Sequence, residues 1–336
     1  MPEHRASSEI NTRRTFSRFP LNPFSEMIHL LNQRYHDEWA RAESLQDELN
    51  DMRGSRLWKA VSWLRELKKR LWAIPTAPEP KLIAKAVPYE LPEGISRPQG
   101  RVSIVIPFKD RPELLRNCLR SLAHTSYRDF EVILVDNGSK ERRTKRFLSR
   151  NLARGRFVVV DGSGQFNFSR LCNSGAARAN GEYLLFLNND TEVLDPAWLE
   201  QLLRPAMDAR VGIVAATLLY PNRTIQHAGI FPRDDGLWVH QYRGVPVGHR
   251  GENSELLVPR SVPAVTAACL MIRRELFQAM AGFDERYPVT YNDIELCERV
   301  RERGLLVVIT PHVRLMHYEG LSRGFTCDLP GIEDSK

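Results

Sequence analysis

The chain has 336 residues, of which 42% are hydrophobic and 26% charged, with a formal net charge of +7. That usage is close to the globular average and supports a sizeable core in one large α/β domain plus an extension, or in two average domains. No window reaches the roughly 18 uninterrupted apolar residues of a spanning helix, and the polar, Arg-bearing first 19 residues have no apolar stretch of the kind that marks a secretory signal. A soluble, cytoplasmic chain is expected. The five cysteines (Cys118, Cys172, Cys269, Cys297 and Cys327) are scattered and never spaced C-x-x-C, which argues against a disulfide framework or a structural zinc site. The positive charge is compatible with nucleic acid, an anionic membrane face or phosphorylated small molecules, but no nucleic-acid recognition motif accompanies it, and no such partner is expected.

The first 95 residues carry little β pattern. Residues 25–50 read as a polar helix and 55–74 as an amphipathic one. In the latter, Leu57, Val61, Leu64, Leu67 and Leu71 recur at helical spacing, Lys59, Arg65, Lys68, Lys69 and Arg70 fill other faces, and Trp58, Trp63 and Trp72 accompany them. Such a helix suits peripheral contact with the inner face of a membrane, and equally packing on a neighbouring domain or chain. Pro75, Pro78, Pro80, Pro88, Pro92 and Pro98 then mark an extended linker.

From Arg101 the pattern alternates. Strands are predicted at 102–107, 131–135, 157–160 and 183–187, and helices at 113–124, 143–150 and 169–180. Near-continuous apolar strands separated by helices imply a mostly parallel sheet covered on both faces. In such sheets ligands sit beyond the carboxyl ends of the strands, and Asp110, Asp136 and Asp190 each follow a strand. One such carboxylate can accept hydrogen bonds from a base or ribose, while another holds a hard divalent cation together with phosphate oxygens. Taken singly, D-N-G-S at 136–139 and N-N-D at 188–190 are also ordinary turn formers.

The ordered set of motifs is more specific than any one of them. VSIVIPFKD at 102–110, VDNGS at 135–139, N-x-G at 173–175, A-x-G-E-Y at 179–183 and FLNNDT at 186–191 are followed by GFDE at 282–285 and YNDIELC at 291–297. Arg299, Pro311, HYEG at 317–320 and SRG at 322–324 complete the set. Together they resemble a family 2 glycosyltransferase of GT-A fold, similar to bacterial rhamnosyltransferase-like enzymes of cell-surface polysaccharide assembly. The resemblance covers about two-thirds of the chain, and it divides the sequence into a helical extension and linker at 1–95, a catalytic domain at 96–325 and a tail at 326–336.

The resemblance implies roles residue by residue. Pro107, Phe108 and Asp110 would line the nucleotide pocket, Asp136 would contact the base, and Asn173, Asn188 and Asn189 would belong to the donor site. Asn188 and Asp190 match the family's metal-binding D-x-D. Because an amide is a poor metal ligand, Mg²⁺ or Mn²⁺ is placed on Asp190, with His317 completing the site. His317 also fits a structural reading, since it follows the apolar run 313–316. Asp293 matches the general base, and on its residues alone it is also an N-cap for the helix beginning at 292–293. Glu295 is a second carboxylate, placed for structure or acceptor contact. Arg170 and Arg178 suit either phosphate contact or solvated surface. The basic stretch 140–156 fits an anionic donor or a lipid-diphosphate acceptor, and 226–250 reads as a long irregular, acceptor-side loop.

The expected activity is therefore an inverting, metal-dependent transfer from a UDP- or dTDP-sugar to a glycan or lipid-linked acceptor. The alternative is a catalytically degenerate GT-A domain acting as a scaffold in a glycan-assembly complex. A sugar-phosphate nucleotidyltransferase is disfavoured, because PFKDRP at 107–112 has no glycine where such enzymes carry a Gly-rich loop.

Overall fold

The structure is a computed structural model that describes residues 81–318 apart from 96, 153, 154 and 156. The helices predicted at 25–50 and 55–74, the membrane contact proposed for 55–74, the tail and the motif residues beyond Tyr318 lie outside the described residues. The chain divides into two units, 1–76 and 77–336, and the described residues all belong to the second.

The described residues of that unit form thirteen strands and six α-helices. In chain order they are β1 (Val87–Pro88), β2 (Val102–Phe108), α1 (Pro112–Leu122), β3 (Phe130–Asp136), α2 (Arg142–Leu152), β4 (Val158–Asp161), α3 (Phe168–Ala176), β5 (Tyr183–Leu187) and β6 (Thr191–Val193). There follow α4 (Trp198–Ala206), β7 (Val211–Leu219), β8 (Ile225–His227), β9 (Ile230–Pro232), β10 (Trp238–His240) and β11 (Arg260–Ser261). The last elements are β12 (Cys269–Arg273), α5 (Arg274–Ala279), α6 (Asn292–Glu302) and β13 (Leu306–His317).

The main sheet runs β1-β11-β13-β7-β12-β5-β2-β3-β4, with β6 added to β13 and β8 to β7. The four strands predicted in the first half are parallel: β2 lies between β3 and β5, and β4 joins β3. β7 and β13 form a second parallel pair. Between these two blocks β12 runs antiparallel to both β5 and β7, so the sheet as a whole is mixed. Every residue of β2, β5 and β7 is buried, as both-face coverage requires. Ile104, Ile106, Leu134 and Leu185 face a layer made by Leu115, Leu148, Trp198 and Leu202 of α1, α2 and α4. Val105, Ile133, Leu184 and Phe186 face the other layer, made by Leu171, Phe277, Leu296 and Val300 of α3, α5 and α6. Alternate residues of one strand thus serve two cores, giving three layers.

Part of the predicted linker belongs to the sheet. β1 pairs with β11, and the Tyr89 hydroxyl donates to Asp208 at 2.9 Å. The four cysteines within the described residues are free and buried, and burial pushes the thiols of Cys118 and Cys269 up to about 12.

Gly175 explains how α3 approaches the sheet. A Cβ there would lie 2.3 Å from Val105 Cγ1 and 2.9 Å from Val135 Cγ2, so helix and strands touch where only hydrogen fits. Gly175→Ala is expected to lower unfolding free energy by about 1–3 kcal/mol through overpacking, read as a shift in urea midpoint at unchanged slope.

Candidate active site

The candidate residues are set at one edge of the sheet by strand direction. β5 ends at Leu187, and antiparallel β12 begins at its partner Cys269. The Asn188 N–H donates to the Ala268 carbonyl at 3.0 Å, extending that pairing into the loops. The chain then turns tightly, with the Thr191 hydroxyl donating to the Asn188 carbonyl at 2.8 Å. β6 follows and pairs with the end of β13, Thr191 opposite His317. This register places Asp190 beside His317.

Asp190 and His317 are 3% and 7% exposed. His317 Nε2 lies 3.1 Å from Asp190 Oδ1 and 3.2 Å from Asn188 Nδ2. On the other side of the ring, Nδ1 lies 2.6 Å from Gln226 Oε1. An amide oxygen only accepts, so this contact matches the tautomer with its proton on Nδ1, and Nε2 is the nitrogen turned toward the carboxylate. That tautomer turns an imidazole lone pair and a carboxylate oxygen toward one point, which is a donor pair a divalent cation can take. Adjacent donors of an octahedral ion with bonds of ~2.1 Å are about 3 Å apart, so the pair fits Mg²⁺ or Mn²⁺. Among the described residues no group of three or more His, Cys, Asp or Glu side chains is arranged to hold a metal. Two protein ligands, the rest being phosphate and solvent oxygens, is the pattern expected of a hard ion that serves a diphosphate.

Asp293 is attached to the same edge through Ala267. α6 is introduced by Tyr291 in a left-handed conformation with φ 69°, so the helix cap is Tyr291, and Asp293 lies in the first turn. Its Oδ1 accepts from the Ile294 N–H at 2.9 Å, and its Oδ2 accepts from the Ala267 N–H at 3.3 Å. Burial raises its pKa, opposed by these bonds and by one from the Thr266 side chain. The Thr266 N–H in turn donates to His227 Nε2 at 3.3 Å. One strand end, 266–268, therefore touches Asp293, His227 and Asn188.

Three other predicted donor residues have their polar atoms used in loop geometry. Asp110 Oδ1 accepts from the backbone N–H groups of Lys140 and Glu141, each at 2.8 Å. Asp110 and Arg111 both adopt φ 50°, a left-handed pair that side chains disfavour, and these bonds hold it in place. Asp136 Oδ1 accepts from the Ser139 N–H at 2.8 Å. The turn reading of 136–139 is thus realised at the site rim. Asn173 gives both ends of its amide to Phe283: Nδ2 donates to the carbonyl at 2.9 Å and Oδ1 accepts from the N–H at 2.9 Å. It acts as a clamp between α3 and the 282–285 turn. Pro107 and Phe108 end β2 beside Val135 and Asp136, with the Phe108 ring in the core layer of α1, so its backbone and not its ring is offered to the rim. Asn189 is buried next to the Asp190 turn.

Glu295 resolves as structural, making a bidentate pair with Arg299 at 2.6 and 2.7 Å, while Arg299 also holds the Gly282 carbonyl at 2.8 Å. Arg170 donates to the carbonyls of Gly162 and Gln165. The stretch 226–250 is more ordered than its sequence suggested, because β9 and β10 form a hairpin. His240, on β10, lies with its Nδ1 3.2 Å from His227 Nδ1. Burial, with His240, Arg260 and His317 nearby, holds the His227 imidazole well below its usual range, and therefore neutral. Gln226 and His227 were missed as individual site residues. The only signal was two polar residues in the predicted irregular stretch, which carries no periodicity.

A family model for glycosyl transferase family 2 matches residues 103–280. Over 235 residues the chain is 41% identical to the O-antigen biosynthesis protein RfbC of Myxococcus xanthus, covering 66% of this chain and 18% of that protein. Over 87 residues it is 34% identical to an N-acetylglucosaminyl-diphospho-decaprenol L-rhamnosyltransferase of Mycobacterium tuberculosis, covering 26% of each. The chain thus spans about a fifth to a quarter of these relatives' lengths. Among solved structures, GalNAc-T7 with UDP, GalNAc and Mn²⁺ superposes with a TM-score of 0.53 at 20% identity, covering 66% of this chain and 45% of that one. The three-layer architecture is the GT-A fold, and the chain belongs to glycosyl transferase family 2. Among the described residues no helix is long and apolar enough to cross a membrane.

Proposed function

We propose that the chain transfers a sugar, with inversion, from a nucleoside-diphosphate donor to a hydroxyl of a glycan or lipid-linked acceptor in cell-surface polysaccharide assembly. The observation that carries this reading is the buried Asp190–His317 pair, 3.1 Å apart, at the strand ends that also hold Asp293. The names of the relatives, O-antigen biosynthesis and rhamnosyl transfer to a polyprenyl-diphosphate sugar, favour the polysaccharide setting and a lipid-linked acceptor. The donor class is a UDP- or dTDP-sugar.

Asp190 and His317 would hold Mg²⁺ or Mn²⁺. Bound there, the ion supplies Lewis-acid neutralisation of the departing diphosphate. The protein's own part falls to Asp293. As the acceptor oxygen forms its bond to the anomeric carbon, the carboxylate takes the hydroxyl proton. The anomeric carbon–oxygen bond breaks on the opposite face, and its electron pair leaves with the diphosphate. Attack opposite the leaving group inverts the anomeric centre.

The test is a panel of UDP- and dTDP-sugars offered with Mn²⁺ and a polyprenyl-diphosphate-linked sugar, with the product linkage read by NMR. Transfer with an inverted anomeric centre is the expected result. A retained configuration would remove the single-displacement scheme.

A further inference from the structure

We propose that Gln226 is a positioning residue that fixes the tautomer of His317, and so presents Nε2 to the divalent cation. The proposal rests on the metal reading above and deepens it. The neutral imidazole has two tautomers of similar energy, and only one leaves a lone pair on the nitrogen facing Asp190. Gln226 is 4% exposed, and its Oε1 lies 2.6 Å from His317 Nδ1. An oxygen that cannot donate, held this close, selects the Nδ1–H form. Asn188 Nδ2, a donor 3.2 Å from Nε2 on the other side of the ring, favours the same form. Metal-bound histidines generally show this arrangement, the second nitrogen donating to an oxygen that sets ring orientation and basicity.

The placement follows from strand register. β8 is three residues long and pairs antiparallel with β7, Leu218 opposite His227 and Leu219 opposite Ile225. β13 pairs with the other side of β7, Met316 opposite Leu219. Gln226 sits at the irregularity in the β7–β8 register, and from there its side chain reaches across to the last residue of β13. A buried amide has to be matched by hydrogen-bond partners, and the ring nitrogen of His317 is the one its Oε1 meets at 2.6 Å.

The test uses the full chain with ¹⁵N-labelled histidine. In the metal-free wild type, long-range ¹H–¹⁵N correlation should show a proton on His317 Nδ1. Gln226→Met should lose that preference, giving a mixed or reversed tautomer, whereas Gln226→Glu, which keeps an acceptor oxygen, should retain it. Mn²⁺ titration, with free ion read by EPR, should show a 10–100-fold weaker site in Gln226→Met and wild-type or tighter binding in Gln226→Glu. Unchanged tautomer and unchanged Mn²⁺ affinity in Gln226→Met would overturn the proposal. If Gln226→Met does not fold, loss of the Nδ1 proton or weakened Mn²⁺ binding in Gln226→Glu overturns it instead. A wild type that holds the Nδ1 proton yet binds no Mn²⁺ would refute the metal reading while leaving the tautomer assignment standing.

Discussion

Asp293→Asn is expected to lower turnover by ~10²–10⁴, the usual contribution of a positioned general base, while nucleoside-diphosphate and Mn²⁺ binding stay within about twofold. An amide is nearly isosteric and still accepts from Ala267 or Ile294, but it takes no proton. The surroundings of Asp293 explain why a base should sit there. Burial disfavours the charged form, while two backbone N–H groups and Thr266 favour it, and burial prevails, so the pKa is raised. A carboxylate raised above its ordinary ~3.9 is a stronger proton acceptor. The base form is populated only above the raised pKa, so the acid limb of kcat/KM lies above the ordinary carboxylate range and disappears in Asp293→Asn. For stability the sign is opposite to that of a salt-bridged aspartate. The folded state binds this proton more tightly than the unfolded one, so Asp293's contribution to stability is present at low pH and is lost as pH rises through its folded pKa. Asp293→Asn should therefore melt no lower than wild type at neutral pH. Unchanged turnover at saturating donor and acceptor would take the base role away from Asp293.

Removing either metal ligand should be as damaging for a different reason. Asp190→Ala and His317→Ala are each expected to weaken Mn²⁺ binding by more than the 10–100-fold that losing an outer-shell partner costs. Turnover at fixed Mn²⁺ should fall by about 10²–10³, the scale for losing one charge-stabilising contact to the developing leaving group. Raising Mn²⁺ should recover part of the His317→Ala deficit, because a carboxylate and phosphate oxygens remain. It should recover less in Asp190→Ala, which loses the only carboxylate of the pair. Affinity should also fall on acidification, since proton and cation compete for the same imidazole nitrogen. Equal Mn²⁺ affinity in wild type and Asp190→Ala would place the ion elsewhere.

The sequence reads most clearly where burial leaves a pattern. β2, β3 and β5 are mainly apolar and end in, or within two residues of, an Asp or Asn, so their existence and the polar strand ends were legible. Strand direction was not. Nothing in Cys269–Arg273 distinguishes an antiparallel insertion from one more parallel strand, because both are simply buried. The three-residue strands β8, β9 and β10 are too short to show a period, which is why 226–250 read as irregular and hid Gln226 and His227. At the site itself, residue types were legible but their hydrogen bonds were not. Asp110, Asp136 and Asn173 look like ligand contacts by motif, yet each spends polar atoms bracing a loop or clamping a turn. Asp190 and His317, 127 positions apart by subtraction of their residue numbers, meet only because β6 adds to the end of β13. No local pattern encodes that pairing; the family resemblance supplied it.

Thermal melting of the full chain with UDP or dTDP, in the presence and absence of Mn²⁺, reaches the heart of this account. Nucleotide should raise the melting temperature of wild type only when Mn²⁺ is present, and the gain should vanish in Asp190→Ala. Stabilisation of equal size without the ion, or its survival in that variant, would contradict a diphosphate site built on Asp190 and His317.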